Sequence, residues 1–214
     1  LILNIEKAES IMKKVFIFMS LVFAPLSFAG DVESGKAKSA MCASCHGADG
    51  NSVNPVWPTI AGQHENYISR QLALFKSGER KATVMAGMVA ALNEEDMKDL
   101  AAYFNAQKPV KKAAEPEQVA LGQSIFQGGK AKLDIPACMS CHGVAGEGNP
   151  LSGYPKVGGQ HSAYNEQRLK DFRSGETVKN ADDVNGNIMA SVAKYLSDDE
   201  IKAVASYMQG LSSK

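Results

Sequence analysis

One six-residue string, Cys-x-x-Cys-His-Gly, occurs twice: at Cys42, Cys45, His46 and Gly47, and again at Cys138, Cys141, His142 and Gly143, 96 residues on. The surroundings repeat with it. Pro58 to His64 returns as Pro155 to His161, Phe75 to Glu79 as Phe172 to Glu176, and Leu92 to Tyr103 as Leu196 to Tyr207. Order is kept while the offset grows to 97 and then to 104, so the second copy carries small loop insertions. A duplication on this scale makes two like domains rather than one large core. They are expected at 30–107 and 118–214. Between them, over 108–117, Pro109, Pro116 and alternating charges read as an extended linker, short enough for the domains to touch.

Each copy reads as helical. Asn93 can cap a helix whose apolar positions Met97, Leu100, Ala101 and Phe104 recur at helical spacing. Ser197 and Glu200 form a capping box ahead of Ile201, Val204, Ala205 and Met208. Glu65–Ser77 and Ala163–Ser174 predict two further helices, ended by Gly78 and Gly175. A short helix is expected before each cysteine pair, from about Ser34 and from about Leu121. No run alternates with period two, so the fold class is all-α.

Ahead of the first copy, Lys13, Lys14, the apolar run Val15 to Phe23 and then Ser27-Phe28-Ala29 have the order of a secretory signal. Leu1 to Ile11 precede Met12 and read as an upstream mis-start. Cleavage is expected near Ala29, with export to the periplasm. The apolar run is too short for a comfortable transmembrane helix, and an uncleaved membrane anchor is the rival reading. The 23 basic and 23 acidic side chains cancel, which argues against a nucleic-acid partner, and 44% apolar residues argue against disorder.

On a helical turn, residues three apart share a face, so two thiols can add to two substituents along one edge of a planar macrocycle. The adjoining histidine then stands where it can ligate the central iron. Covalent attachment of haem c is the reading this motif carries. A redox dithiol would need a βαβ setting that is missing here. A zinc site could use the cysteines and histidine of each motif but would not call for the repetition of distant Met and Gly positions, and a structural disulfide of an oxidising compartment is the other competing reading. Two covalently bound haem c groups are therefore expected, through Cys42/Cys45 and Cys138/Cys141.

With the two CxxCHG motifs, the segments Trp57 to His64 and Tyr154 to His161, a methionine some way after each motif, and a matched closing helix, the chain resembles the dihaem cytochrome c4 family. The resemblance implies two tandem class I cytochrome c domains facing each other, exported to the periplasm and associated with the inner membrane. It implies redox protein partners: a quinol-oxidising complex as donor and a terminal oxidase as acceptor. It also implies iron held by His46 with Met85 and by His142 with Met189. Met85 aligns with Met189, whereas Met88 aligns with Val192, and both chosen methionines are expected in loops. Met97 and Met208 fall on an apolar stripe and read as core. His64 and His161 are matched too and could make bis-His haems, but a cap or surface place is expected for them.

The class I pattern further implies a proline carbonyl receiving the second ring nitrogen of each ligand histidine, here Pro58 and Pro155. Trp57 and Tyr154 could wall the haem, while Tyr67 and Tyr164 are expected to pack in helix cores. A haem with His and Met on opposite faces has no open site, so the chain is expected to carry electrons and not to be an enzyme. The competing readings are the cytochrome subunit of a flavocytochrome dehydrogenase and a dihaem peroxidase.

Overall fold

The computed structural model describes residues 30–175 and 183–212. The expected secretory signal, its cleavage site and Glu176 lie outside the described residues. Within them the fold is helical and holds no strand, only the isolated bridges Lys130 to Ile135 and Asn149 to Tyr154. The first domain comprises α1 (Val32–Lys38), α2 (Ala40–His46), α3 (Glu65–Ser77), α4 (Thr83–Val89) and α5 (Glu94–Asn105). The second comprises α6 (Pro116–Gly128), α7 (Met139–His142), α8 (Ser162–Ser174), α9 (Val184–Ala193) and α10 (Asp198–Gly210).

The closing helix organises each half. Capping boxes start both: Asn93 with Asp96 on α5, Ser197 with Glu200 on α10. Each is worth about 1 kcal/mol of helix stability. The stripes predicted for these helices are buried, with Leu100 and Phe104 in one core and Ile201 and Val204 in the other. α5 packs on α1 and α3, and α10 packs on α6 and α8. Glycine lets the first pair in each domain close up. A Cβ added at Gly35 would stand 2.0 Å from the Asp99 carbonyl oxygen, and one at Gly122 would stand 2.3 Å from that of Ala203.

These two glycines expose an insertion that the motif spacing alone does not reveal. They stand 87 residues apart, against 96 for the cysteine motifs, so the second domain carries nine extra residues ahead of its cysteines. In the first domain Ser39 alone separates α1 from α2. In the second, a single 3-10 turn (Ala131–Leu133) and the Lys130 to Ile135 bridge fill the gap, and Ile135 is buried in the core.

The methionine segments correct an expectation. Met85 and Met189 were expected in loops, but lie on α4 and α9. Neither segment contains proline, and Asp183 caps α9 by accepting from the Gly186 N–H at 2.9 Å. In α4 the first turn is closed by Ala86 N–H donating to the Ala82 carbonyl at 2.9 Å. Local hydrogen bonding thus completes a turn or two where repeat alignment saw only a connection.

Candidate haem sites and the interface between them

In the first domain α2 carries Cys42 and Cys45 three residues apart and ends on His46, after which Gly47 turns the chain with φ 81°. In the second, Cys138 is the residue before α7, Cys141 and His142 lie on it, and Gly143 turns at φ 78°. Both histidines are buried. His46 Nδ1 pairs with the Pro58 carbonyl at 2.8 Å, and His142 Nδ1 with the Pro155 carbonyl at 2.9 Å. A carbonyl can only accept, so Nδ1 carries the proton and Nε2 is left with its lone pair. Burial lowers both imidazole pKa values more than the carbonyl bonds raise them, which keeps each ring in the neutral, metal-binding form. Burial likewise pushes the Cys42 thiol up, and the Cys138 thiol up to about 11.

These groups line an apolar cavity of about 460 Å³ that runs across both domains. Met85, Met88 and Met189 face it as well. Paired thiols for covalent attachment, with an imidazole bearing a free Nε2 and a thioether as iron donors in an apolar setting, are what a haem c needs, so the residues fit the group. Trp57 and Tyr154 line the cavity as expected, with the Tyr154 ring centroid 6.4 Å from that of His142. Tyr67 and Tyr164 do not pack in helix cores. They face the same cavity, and Tyr164 OH accepts from Arg80 of the other domain at 2.9 Å.

His64 and His161 occupy the N-cap positions of α3 and α8, yet their side chains do no local capping. Each ring instead crosses to the other domain. His64 Nε2 pairs with the Glu147 carbonyl and His161 Nε2 with the Ser52 carbonyl, both at 2.8 Å. Of the cap or surface place expected for it, His161 takes the N-cap position but is buried, with Nε2 bonded across the interface.

The glutamines before them make a reciprocal clasp. Gln63 Oε1 accepts from Lys156 N–H at 2.9 Å while its Nε2 donates to the Lys156 carbonyl at 2.9 Å. Gln160 holds Thr59 the same way, at 2.8 and 2.7 Å. Thr59 and Lys156 are equivalent positions in the repeat, so the interface has approximate two-fold symmetry. Arg70 to Asp183 at 2.6 Å joins the halves as well. From the linker, Lys112 reaches Thr59 Oγ1 at 3.1 Å and the Gly159 carbonyl at 2.8 Å. The sequence carried a signal for the clasp: Gly-Gln-His is repeated intact, although the histidine draws the eye away from the glutamine.

The paired motifs, the histidine–carbonyl bonds and the shared cavity define a two-domain c-type cytochrome. The family model for cytochrome c matches twice, at residues 32–108 and 119–212. Cytochrome c4 of Stutzerimonas stutzeri is 42% identical over 212 residues, which cover 94% of this chain and 100% of that protein. The crystal structure of reduced recombinant cytochrome c4 from Pseudomonas stutzeri aligns with a TM-score of 0.81 at 44% identity, covering 86% of this chain and 100% of that one. A protein of Stutzerimonas stutzeri strain A1501 described as a thiosulfate dehydrogenase electron acceptor is 34% identical, over 85% of this chain and 84% of its own. The chain belongs to the cytochrome c4 family. It is an electron-transfer protein with two covalently bound haem c groups.

Proposed function

We propose that the chain is an exported, periplasmic electron carrier that takes electrons from a quinol-oxidising complex and delivers them to a terminal oxidase, with peripheral attachment to the inner membrane. The two haem-bearing units are 30–107 and 118–214. Cys42 and Cys45 would hold one haem, with His46 and Met85 supplying its iron ligands. Cys138 and Cys141 would hold the other, with His142 and Met189. When bound, each haem supplies a one-electron ferric–ferrous couple.

The chain's own residues do the rest. Pro58 and Pro155 fix the tautomer and angle of the histidines. The apolar walls exclude water, and a thioether serving beside each imidazole as an iron ligand would favour the ferrous state. The observation that carries the carrier reading over an enzyme is this pairing, a methionine and a neutral histidine facing one cavity in each domain. Among the described residues no helix is long and apolar enough to cross a membrane.

The relative described as a thiosulfate dehydrogenase electron acceptor supports a second reading, in which the donor is a thiosulfate-oxidising enzyme. Stopped-flow reduction of the holoprotein by each donor system decides between them. Fast reduction by quinol-oxidising membranes, reoxidation by a membrane oxidase and negligible peroxide turnover are expected. Rapid peroxide consumption would overturn the carrier reading. Met85→Ala and Met189→Ala should each remove about half of the methionine–iron charge-transfer absorption and depress one of two redox steps, while Met88→Ala leaves both. A large effect of Met88→Ala would move the first ligand by one helical turn.

A further inference from the structure

One peptide group stands between each ligand histidine and a side chain of the other domain. His46 Nδ1 donates to the Pro58 carbonyl at 2.8 Å, and the N–H of that same peptide, on Thr59, donates to Gln160 Oε1 at 2.8 Å. The mirror path runs from His142 to the Pro155 carbonyl at 2.9 Å, and from the Lys156 N–H to Gln63 Oε1 at 2.9 Å. Each Oε1 also accepts from the following backbone N–H, of His161 and His64 respectively, so two donors fix the orientation of each amide. Gln63, Gln160 and Thr59 are all buried and Lys156 is half-buried, which limits competition from water.

A peptide that donates through its N–H is a better acceptor at its carbonyl, because bonds in a chain polarise one another. A carbonyl that draws harder on Nδ1–H makes the imidazole more basic at Nε2. A more basic ligand favours the oxidised, more positive iron. We infer that Gln63 and Gln160 are positioning residues, each tuning the reduction potential of the haem in the opposite domain. This rests on His46 and His142 being the proximal iron ligands.

The test uses the holoprotein, its two redox steps resolved by spectroelectrochemistry and assigned to haems through Met85→Ala and Met189→Ala. Gln160→Leu removes the acceptor from Thr59. The first-domain haem should then become easier to reduce, by about threefold in its ferrous-to-ferric ratio at fixed potential, with the second step unmoved. Gln63→Leu should shift the second-domain haem and spare the first. Gln160→Glu keeps an acceptor, now charged, and should move the first-domain haem the opposite way. In the ferrous protein, the His46 Nδ1–H proton resonance should move upfield in Gln160→Leu while that of His142 stays. Equal movement of both steps in each leucine variant would make the glutamines mere interface fasteners and overturn the inference. Methionine variants that leave both steps in place would sink the ligand reading and this inference together. Well-assigned steps that ignore the glutamine variants would sink the inference alone.

Discussion

The two domains solve one packing problem with different materials. In the first, α1 is pinned to α5 by charge. Lys38 reaches Asp96 at 2.7 Å and Asp99 at 2.8 Å, and the buried Asp99 also accepts from Asp31 N–H at 2.8 Å. The second has Ala203 at the position of Asp99 and draws its cation from another segment. Lys130, from the inserted stretch, bonds the capping-box acid Glu200, the counterpart of Asp96, at 2.8 Å. Its contiguous buried cluster is also larger, gathering Ile125, Phe126, Ile135 and Leu196 beside the closing helix, whereas that of the first domain holds Ile68, Leu100, Ala101 and Phe104, with Phe75 and Val89 buried apart from it. A duplicated fold keeps the helix crossing and the ligand geometry, and lets the means of holding them drift.

The largest effect expected from this contrast concerns haem loss. With the smaller contiguous cluster, the first domain should lean harder on its haem. Cys42→Ala/Cys45→Ala should lose most of the helical signal of that half, while Cys138→Ala/Cys141→Ala leaves more residual helix in the other. Site-resolved hydrogen exchange with intact mass reads this directly, and equal unfolding would show that core size is not what differs. Next come the helix crossings. Gly35→Ala and Gly122→Ala each drive a methyl into a carbonyl oxygen and should cost about 1–3 kcal/mol in denaturant unfolding. A neutral result at Gly122 alone would mean that the second crossing can slide apart.

The smallest effect is a pH dependence. Lys38 above all, helped by the Asp31 N–H, holds the Asp99 carboxyl below the usual carboxylate range. A group whose folded pKa is depressed stabilises the fold above its unfolded pKa, near 3.9 for an aspartate, and loses that contribution as pH falls through the folded value. Glu200 is also held low: burial raises it, but Lys130 and the Ser197 N–H outweigh burial. Both domains should weaken below about pH 4. Asp99→Asn should flatten the acid limb of the first domain's thermal midpoint and leave the second's slope unchanged.

Much of this was legible because the sequence states it twice. The motifs, the capped closing helices and the histidine–proline pairings all rest on local chemistry at equivalent positions, and Pro58 and Pro155 stand where the repeat puts them. The helices around Met85 and Met189 were hidden because short apolar turns carry no periodicity to read. The inserted turn was hidden for another reason, since the first helices share little beyond Gly35 and Gly122. For Gln63 and Gln160 the repeated Gly-Gln-His marks the positions but not the role, because their partners lie in the other domain and no spacing within one copy points to them.

Chain connectivity gives the interface a further property. Only the short stretch from Ala106 to Glu115 separates α5 from α6, and Lys112 within it touches both halves. Joined this way, each domain meets the other at an effective concentration on the order of millimolar. Polar contacts too weak to hold free halves together at cellular dilution can then hold a fixed geometry nearly all the time. Covalent tethering thus lets an interface built on the two glutamine clasps and the Arg70–Asp183 pair persist as one arrangement.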